Sequence, residues 1–552
     1  MAQALRDTPA GHLLRLIGFR SYLSWPEEAP NFEPRQMPAI AKEISSSSDD
    51  LEKTLSKISA RVGTKTDEGS DIITNNKKLS RKELADAIVV TFAENDQDNP
   101  RNWPQRKKTW TLTLVNVYTF VVYLTASIIT PDVEFIMQRY NVSIVVASLG
   151  LSMYVVGYGM GPMFFSPLSE VPSIGRNPPY LYSFTIFIVM SIALCFVGNF
   201  PGLIVLRFLQ GFFGSPCLAS GAASIEDVYD MYGAPYGYMF WVASMYCGPA
   251  FGPLLGGYAV MNNWRWPLYE TVIMSGIILL LLPFLPETNP NTILLHRAQR
   301  LRKATGNDLY LAPCEMRSAP FGAALKEAMI RPLEISVKDP AIGYACVYGA
   351  LVYATYYSFF EAFPLVYLGT YKMSLGAMGL IFTNIVVGCM FAVVCYYLYL
   401  RRVFIPRAKK YHEQKGEPVQ QEQWLLPGFV GAWGLPVGLL IFAWTAREDI
   451  HWITPTVGVA IFCATSFWMF QSIVCYVALA YPRYVASLFA ANDFTRSMTA
   501  AAFVQFSRQM YVNLGISKGV SLVVGLSVIG IIGMHGLYHF GAQLRARSKF
   551  TG

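Results

Sequence analysis

The chain has 552 residues, of which 53% are hydrophobic and only 14% charged, against about a quarter charged in a soluble domain. The formal net charge of +8 would suit a nucleic-acid partner if the chain were soluble. Its basic residues fall between long apolar runs, however, where they serve as topological anchors, so nucleic acid is excluded.

Residues 1–108 have ordinary polar composition and read as a cytoplasmic N-terminal tail, largely disordered. The run Ser45-Ser46-Ser47-Ser48-Asp49-Asp50 within it offers phosphorylation sites. The segment from His12 to Phe19 is too short and too charged for the apolar core of a cleavable signal; it reads as part of the tail, or alternatively as a short amphipathic helix on the leaflet. Apolar runs follow at 109–130, 143–167, 179–198, 202–224, 235–261 and 267–285, and again at 341–363, 375–400, 425–446, 453–480, 485–508 and 519–541. Each approaches the roughly 20 helical residues needed to cross a hydrocarbon core about 30 Å thick. The expected organisation is therefore an N-terminal six-helix bundle over 109–286, a cytoplasmic linker over 287–340, a C-terminal six-helix bundle over 341–541 and a cytoplasmic tail over 542–552.

Basic residues set the orientation. Arg101, Arg106, Lys107 and Lys108 precede span 1; Arg297, Arg300, Arg302 and Lys303 follow span 6; Arg401, Arg402, Arg407, Lys409 and Lys410 follow span 8. The opposite loops hold few, which places both termini in the cytoplasm. The sequon Asn141-Val142-Ser143 then lies outside, too close to span 2 for ready glycosylation. Of nine cysteines, all but Cys314 lie in apolar runs, and none has metal-type or redox-type spacing.

Three motifs carry the chemistry. After span 2 the chain reads Gly161-Pro162-Met163-Phe164-Phe165-Ser166-Pro167-Leu168-Ser169-Glu170, then Gly175-Arg176. An acid at a helix end and an arginine in a tight turn can hold neighbouring helices together and release them between conformations, as a latch; simple loop anchoring is the plainer reading. Span 4 contains Leu206-Arg207-Phe208-Leu209-Gln210-Gly211. A lone arginine costs a few kcal/mol or more in hydrocarbon, so Arg207 must face protein or water, either in a functional role or in a buried structural pair. Span 5 reads Gly248-Pro249-Ala250-Phe251-Gly252-Pro253-Leu254-Leu255-Gly256-Gly257. Glycines four apart share one helix face and permit close packing, while the prolines remove backbone donors and bend the helix.

Together with Asn102-Trp103-Pro104, Asn263-Trp264-Arg265-Trp266, Leu285-Pro286-Glu287-Thr288, Arg331-Pro332-Leu333-Glu334, Phe360-Glu361-Ala362-Phe363-Pro364 and Asn492-Asp493-Phe494-Thr495-Arg496-Ser497, these motifs resemble the major facilitator superfamily, in the twelve-span drug:proton antiporter form found in fungi. The resemblance covers nearly the whole chain and is nearest to facilitators conferring azole resistance. It implies an all-α membrane fold with 12 transmembrane helices in two six-helix bundles. It also implies a cytoplasmic latch drawn from Glu170, Gly175, Arg176, Asp227, Asp493 and Arg496, and an antiporter motif at Gly248, Pro249, Gly252, Pro253, Gly256 and Gly257. Glu170 and Asn177 depart from the broader pattern of an aspartate and a second basic residue.

An antiporter needs a group that gains a proton outside and loses it inside, and a carboxyl in a partly dry cavity suits this. Glu361, near the outer end of span 7, is the first candidate and Asp132 the next, with Arg207 linked to proton movement through the resemblance. Asp493 and Arg496, one turn apart, read first as an ion pair. Tyr123, Tyr158, Gln210, Tyr246, Tyr357, Phe360 and Phe470 are candidates for a greasy, adaptable substrate cavity. No nucleotide-binding loop and no catalytic constellation occur in the sequence. The expectation is a monomeric, non-enzymatic plasma-membrane exporter that needs no cofactor, draws on the proton gradient and takes hydrophobic or amphipathic small molecules. A dedicated exporter of one secondary metabolite or polyamine is the alternative. Uptake symport is disfavoured by the span 5 motif, and a membrane sensor by the lack of a signalling domain.

Overall fold

The computed structural model describes residues 5–19, 22–28, 73–74, 77–78, 87–316, 329–330, 334–480 and 485–547. The serine run at 45–48, Arg331, Pro332 and Leu333, and Ser548 and Lys549 lie outside these. The chain divides into two compact units, one polar (1–111, 168–179 and 283–328) and one apolar (112–167, 180–282 and 329–552).

In the polar unit, the ends of the N-terminal segment fold onto the central segment. Helix α1 (Pro9–Leu14) starts at Thr8, whose hydroxyl accepts from the Gly11 N–H. Strand β1 (Ile88–Val89) pairs in parallel with β2 (Tyr310–Leu311). Val90, Leu294, Leu295, Ala298, Leu301, Tyr310 and Ala312 form a small core. Charges complete the joint: Arg6 pairs with Asp98 at 3.0 Å, Arg297 with Asp96, and Arg300 with Glu27 at 3.4 Å. The sequence suggests disorder across this tail because each charge finds its partner far along the chain.

The apolar unit is all helix. Its elements are α2 (Gln105–Ser127), which starts in the polar unit, α3 (Leu149–Glu170), α4 (Asn177–Phe196), α5 (Phe200–Gly214) with α6 (Cys217–Val228), α7 (Ala234–Ala259) and α8 (Trp266–Leu281). Helix α9 (Pro290–Thr305) belongs to the polar unit. Then come α10 (Pro340–Phe363), α11 (Leu375–Tyr399), α12 (Leu426–Thr445), α13 (Ile453–Ala480), α14 (Val485–Leu514) and α15 (Ile516–Arg547). Caps and prolines set several starts: Asn199 accepts from Gly202 N ahead of α5, Asp339 from Ala341 N ahead of α10, and Ser374 from Ala377 N ahead of α11. The fourth span is broken at Ser215 and Pro216 into α5 and α6.

Nine helices among the described residues are long and apolar enough to cross a membrane. Helices α7, α10 and α14, at 26, 24 and 30 residues, are as long but richer in glycine, proline, tyrosine or charge. Most of α7 and α10 is buried inside the unit, where polar atoms meet protein rather than lipid. The chain is an all-α membrane protein. All nine cysteines are free thiols.

Candidate functional site

The glycine face of α7 lies along α2. A Cβ added at Gly248 would stand 2.7 Å from the Phe120 carbonyl oxygen, at Gly252 2.0 Å from Ser127 Oγ, and at Gly256 2.2 Å from the Ile128 carbonyl oxygen. Only hydrogen fits at these three positions. Pro253 has no N–H for the Pro249 carbonyl, four residues earlier; Ser127 Oγ donates to that oxygen instead, at 2.7 Å. A hydroxyl on α2 thus takes the place of the missing backbone donor in α7. The other face of α7 meets α11: a Cβ at Gly257 would be 3.0 Å from the Leu375 oxygen, and one at Gly379 2.6 Å from the Pro253 oxygen. Span 5 is therefore pressed between its own bundle and the other.

Arg207 is fully buried and bonded chiefly to backbone. Its Nε donates to Gly150 O at 2.9 Å, Nη1 to Thr125 O at 3.0 Å, and Nη2 to Ala126 O at 2.7 Å. Helix α2 ends at Ser127 with its last i→i−4 bond from Ile128 N to Leu124 O, and the last carbonyls of a helix lack intrahelical donors. The guanidinium caps that end, while its face lies 4.4 Å from the centre of the Tyr154 ring. Asp132, just beyond, is within electrostatic range of Arg207 and leaves Oδ1 unbonded. Gln210, a cavity candidate by sequence, instead supports this cap: its Oε1 accepts from Arg207 at 3.0 Å and its Nε2 donates to Ser191 Oγ at 2.7 Å. A carbonyl partner leaves no mark in the sequence, so this arrangement could not be read there.

Asp493 and Arg496 pair with each other, both buried, at the seam between the bundles. Arg496 also reaches across it. Its Nη2 donates to Tyr123 OH on α2 at 2.9 Å, and its Nη1 lies 2.9 Å from Met245 Sδ on α7. The guanidinium sits 4.5 Å from the centre of the Tyr353 ring and 5.1 Å from that of Phe470, cation–π contacts that suit a buried arginine. Tyr158 joins the same cluster, with its hydroxyl 2.7 Å from that of Tyr353 and 2.9 Å from that of Tyr357. Tyr246 packs edge-on to Tyr356 at 5.5 Å, and Tyr357 lies 5.4 Å from Phe360. Sequence reasoning missed Tyr353; Tyr357, one turn away, was its only signal, whereas Met245 stands among the methionines and aromatics that the sequence offers as cavity lining.

The two ends of the seam differ. At the end where α2 begins, Ser166 Oγ donates to Ala486 O at 3.1 Å and Gln471 Nε2 to Pro235 O at 3.1 Å, so the bundles touch. At the opposite end a cavity of about 320 Å³ lies between them, walled by Thr130, Leu151, Phe360, Glu361, Met378 and Arg508. Glu361 Oε2 is 3.7 Å from Arg508 Nη1, a loose pair facing the open space. Arg508 was not singled out by sequence, because a basic residue near a helix end reads as an anchor.

The turn after α3 is held by a carboxylate that the sequence quotes only as part of a motif. Glu287 accepts from the N–H groups of Arg176 at 3.0 Å, Asn177 at 3.1 Å, Thr288 at 3.0 Å and Asn289 at 2.9 Å. Gly175 has φ +79°, and a Cβ there would meet Glu287 Oε2 at 2.6 Å. Burial pushes the Glu287 carboxyl above its ordinary range, against the pull of these donors. Arg176 Nη1 donates to Ser169 Oγ at 3.0 Å. Of the other latch candidates, Glu170 closes α3 and Asp227 lies in the last turn of α6.

The family model described as Major Facilitator Superfamily matches residues 115–504. An MFS-type transporter, pyvG, of Aspergillus violaceofuscus is 42% identical over 84% of this chain and 85% of its own length. The multidrug transporter FLR2 of Candida glabrata is 39% identical over 91% and 85%. The structure of the proton:xylose symporter XylE superposes with a TM-score of 0.55 at 12% identity, over 79% of this chain and 97% of that one, a likeness of fold alone.

Proposed function

The chain belongs to the major facilitator superfamily, and we propose that it exports structurally diverse small hydrophobic drugs or toxins from a fungal cell, in exchange for protons, by alternating access. One observation carries the reading: the bundles touch through Ser166–Ala486 and Gln471–Pro235 at one end, and at the other enclose a cavity faced by a carboxylate. That is one of the two arrangements a rocking carrier needs. The multidrug relative supports the substrate class.

In this scheme both termini are cytoplasmic, the protein is a plasma-membrane monomer, and the cavity faces outward. Glu361 takes a proton from outside, which cancels the charge that attracts Arg508. Asp132 is the second acid at that end. Arg207 holds the end of α2 while the bundles rock. The glycine face of α7 keeps α2 and α7 moving as one body, and the α7–α11 contact is where the halves slide. Arg496 bolts the seam at Tyr123 and must let go when the opposite face opens. Glu170, Gly175, Arg176, Asp227, Asp493 and Arg496 are the residues of this scheme's cytoplasmic latch, and the tyrosine cluster lines the substrate path. No cofactor takes part; the proton gradient supplies the energy.

The test is a resistance panel in fungal cells that lack or overproduce the protein. Altered resistance to several unrelated hydrophobic toxins, azoles among them, is the expected result. A change confined to one compound supports the dedicated exporter instead, and no change for any compound counts against export.

A further inference from the structure

Residues 5–19 and 22–28 form a hook with two unlike faces. One face is bonded into the polar unit. Asp7 Oδ2 is 3.1 Å from Lys107 Nζ in the first turn of α2, and the Asp7 carbonyl accepts from Glu287 N at 3.3 Å. Lys107 lies three residues before Trp110, and Glu287 follows Phe284, whose carbonyl accepts from Trp110 Nε1 at 3.2 Å. The hook is thus pinned to the first turn of α2 and to the segment just after span 6. Further on, the Trp25 ring is flanked by Arg6 at 4.1 Å and Arg300 at 3.7 Å, and Glu27 lies 3.6 Å from Arg297.

The other face is apolar and exposed among the described residues. Leu13, Leu16, Ile17, Phe19 and Tyr22 are all exposed, Leu16 at 85% and Tyr22 at 78%. Gly18, with φ +123°, turns the chain after the helix, and the Phe19 and Tyr22 rings lie side by side at 6.5 Å. Five large apolar side chains within ten residues, on a surface otherwise held by ion pairs, mark a binding face. At 1.5 Å per helical residue, Leu16 is within about 14 Å of Asp7, which is bonded to Lys107 in the first turn of α2. Arg101 and Arg106, exposed beside the start of α2, add the positive charge that anionic headgroups attract.

We propose that this hook is a lipid-docking foot, which inserts Leu13, Leu16, Ile17, Phe19 and Tyr22 into the headgroup–acyl boundary of the leaflet that α2 enters. The occupant is the bilayer itself, because the hook is bonded to the first turn of α2, the helix of span 1, and because aromatic and aliphatic side chains beside basic residues suit the headgroup–acyl boundary. The foot rests on α2 crossing the membrane and not on the export reading, so it stands or falls separately from transport.

The test uses the full chain in nanodiscs of phosphatidylcholine and phosphatidylserine, with p-benzoylphenylalanine in place of Leu16. Illumination is expected to yield phospholipid adducts, identified by mass. Adducts confined to other residues of the chain, or no adducts, would overturn the proposal. A second measurement compares hydrogen exchange of residues 9–19 between the wild type and a Leu16→Glu/Ile17→Glu variant in the same discs. Exchange at least tenfold faster in the variant is expected, with residues 290–305 unchanged as evidence that the polar unit is folded. Equal exchange of residues 9–19 in both would also overturn it.

Discussion

Replacing Gly252 with alanine tests the close packing of α7 on α2. The new Cβ would stand 2.0 Å from Ser127 Oγ, 2.8 Å from Ile128 N and 2.9 Å from Leu124 O. Ser127 must rotate away, and it then abandons the Pro249 carbonyl that Pro253 leaves without a donor. Overpacking of this kind costs about 1–3 kcal/mol, and a buried carbonyl left unpaired costs about 1–3 kcal/mol more. Gly252→Ala should therefore destabilise the protein by about 2–6 kcal/mol. Ser127→Ala alone leaves that same carbonyl unpaired but adds no clash, a cost of about 1–3 kcal/mol. The double variant should cost no more than Gly252→Ala, since the nearest clashing atom is gone and the bond is already lost. The assay is thermal unfolding in detergent, read by a thiol-reactive dye, because Cys217, Cys247, Cys389, Cys463 and Cys475 are buried free thiols. Near-wild-type stability of Gly252→Ala, or a double variant equal to the sum of the singles, would refute this account of the seam between α2 and α7.

Four other outcomes follow. Arg207→Lys keeps the charge but cannot reach Gly150, Thr125 and Ala126 together, so radiolabelled-drug efflux from cells should fall more than tenfold while membrane abundance persists; normal efflux would show that the cap is dispensable. Glu361→Gln should bind substrate within about threefold of wild type but lose the pH dependence of transport, as measured by tracer binding and by efflux across a pH series. Tyr123→Phe removes the hydroxyl that receives Arg496 across the seam and should loosen the bolt, raising the labelling of seam cysteines introduced near Ser166, without loss of thermal stability beyond about 1 kcal/mol. Gly379→Ala, whose Cβ would meet the Pro253 oxygen at 2.6 Å on the opposite bundle, should slow turnover measured by tracer efflux and lower stability by about 1–3 kcal/mol.

The helices were legible wherever a run was apolar enough to cross a bilayer unaided. Helices α7, α10 and α14 were equally so: the runs at 235–261, 341–363 and 485–508 begin within a residue of Ala234–Ala259, Pro340–Phe363 and Val485–Leu514, although their buried faces carry tyrosine, proline and charge. What escaped the sequence is mostly long-range or main-chain. The partners of Arg207 are carbonyl oxygens, which no side chain signals. Gln210 looked like a cavity residue because a polar group inside a span suggests a ligand, yet it completes the arginine cap. Glu287 was visible as part of a motif, but its role depends on a turn more than a hundred residues away. The ion pairs of Arg6, Asp96 and Arg297 likewise join segments that composition alone marks as disordered.

The most direct test of the transport scheme is uptake of a labelled hydrophobic drug by proteoliposomes holding the purified protein, with a pH step imposed across the membrane. Exchange predicts that drug accumulates in the more acidic compartment and that an uncoupler abolishes the accumulation. Drug movement along with protons, or equal movement with and without the gradient, would contradict it.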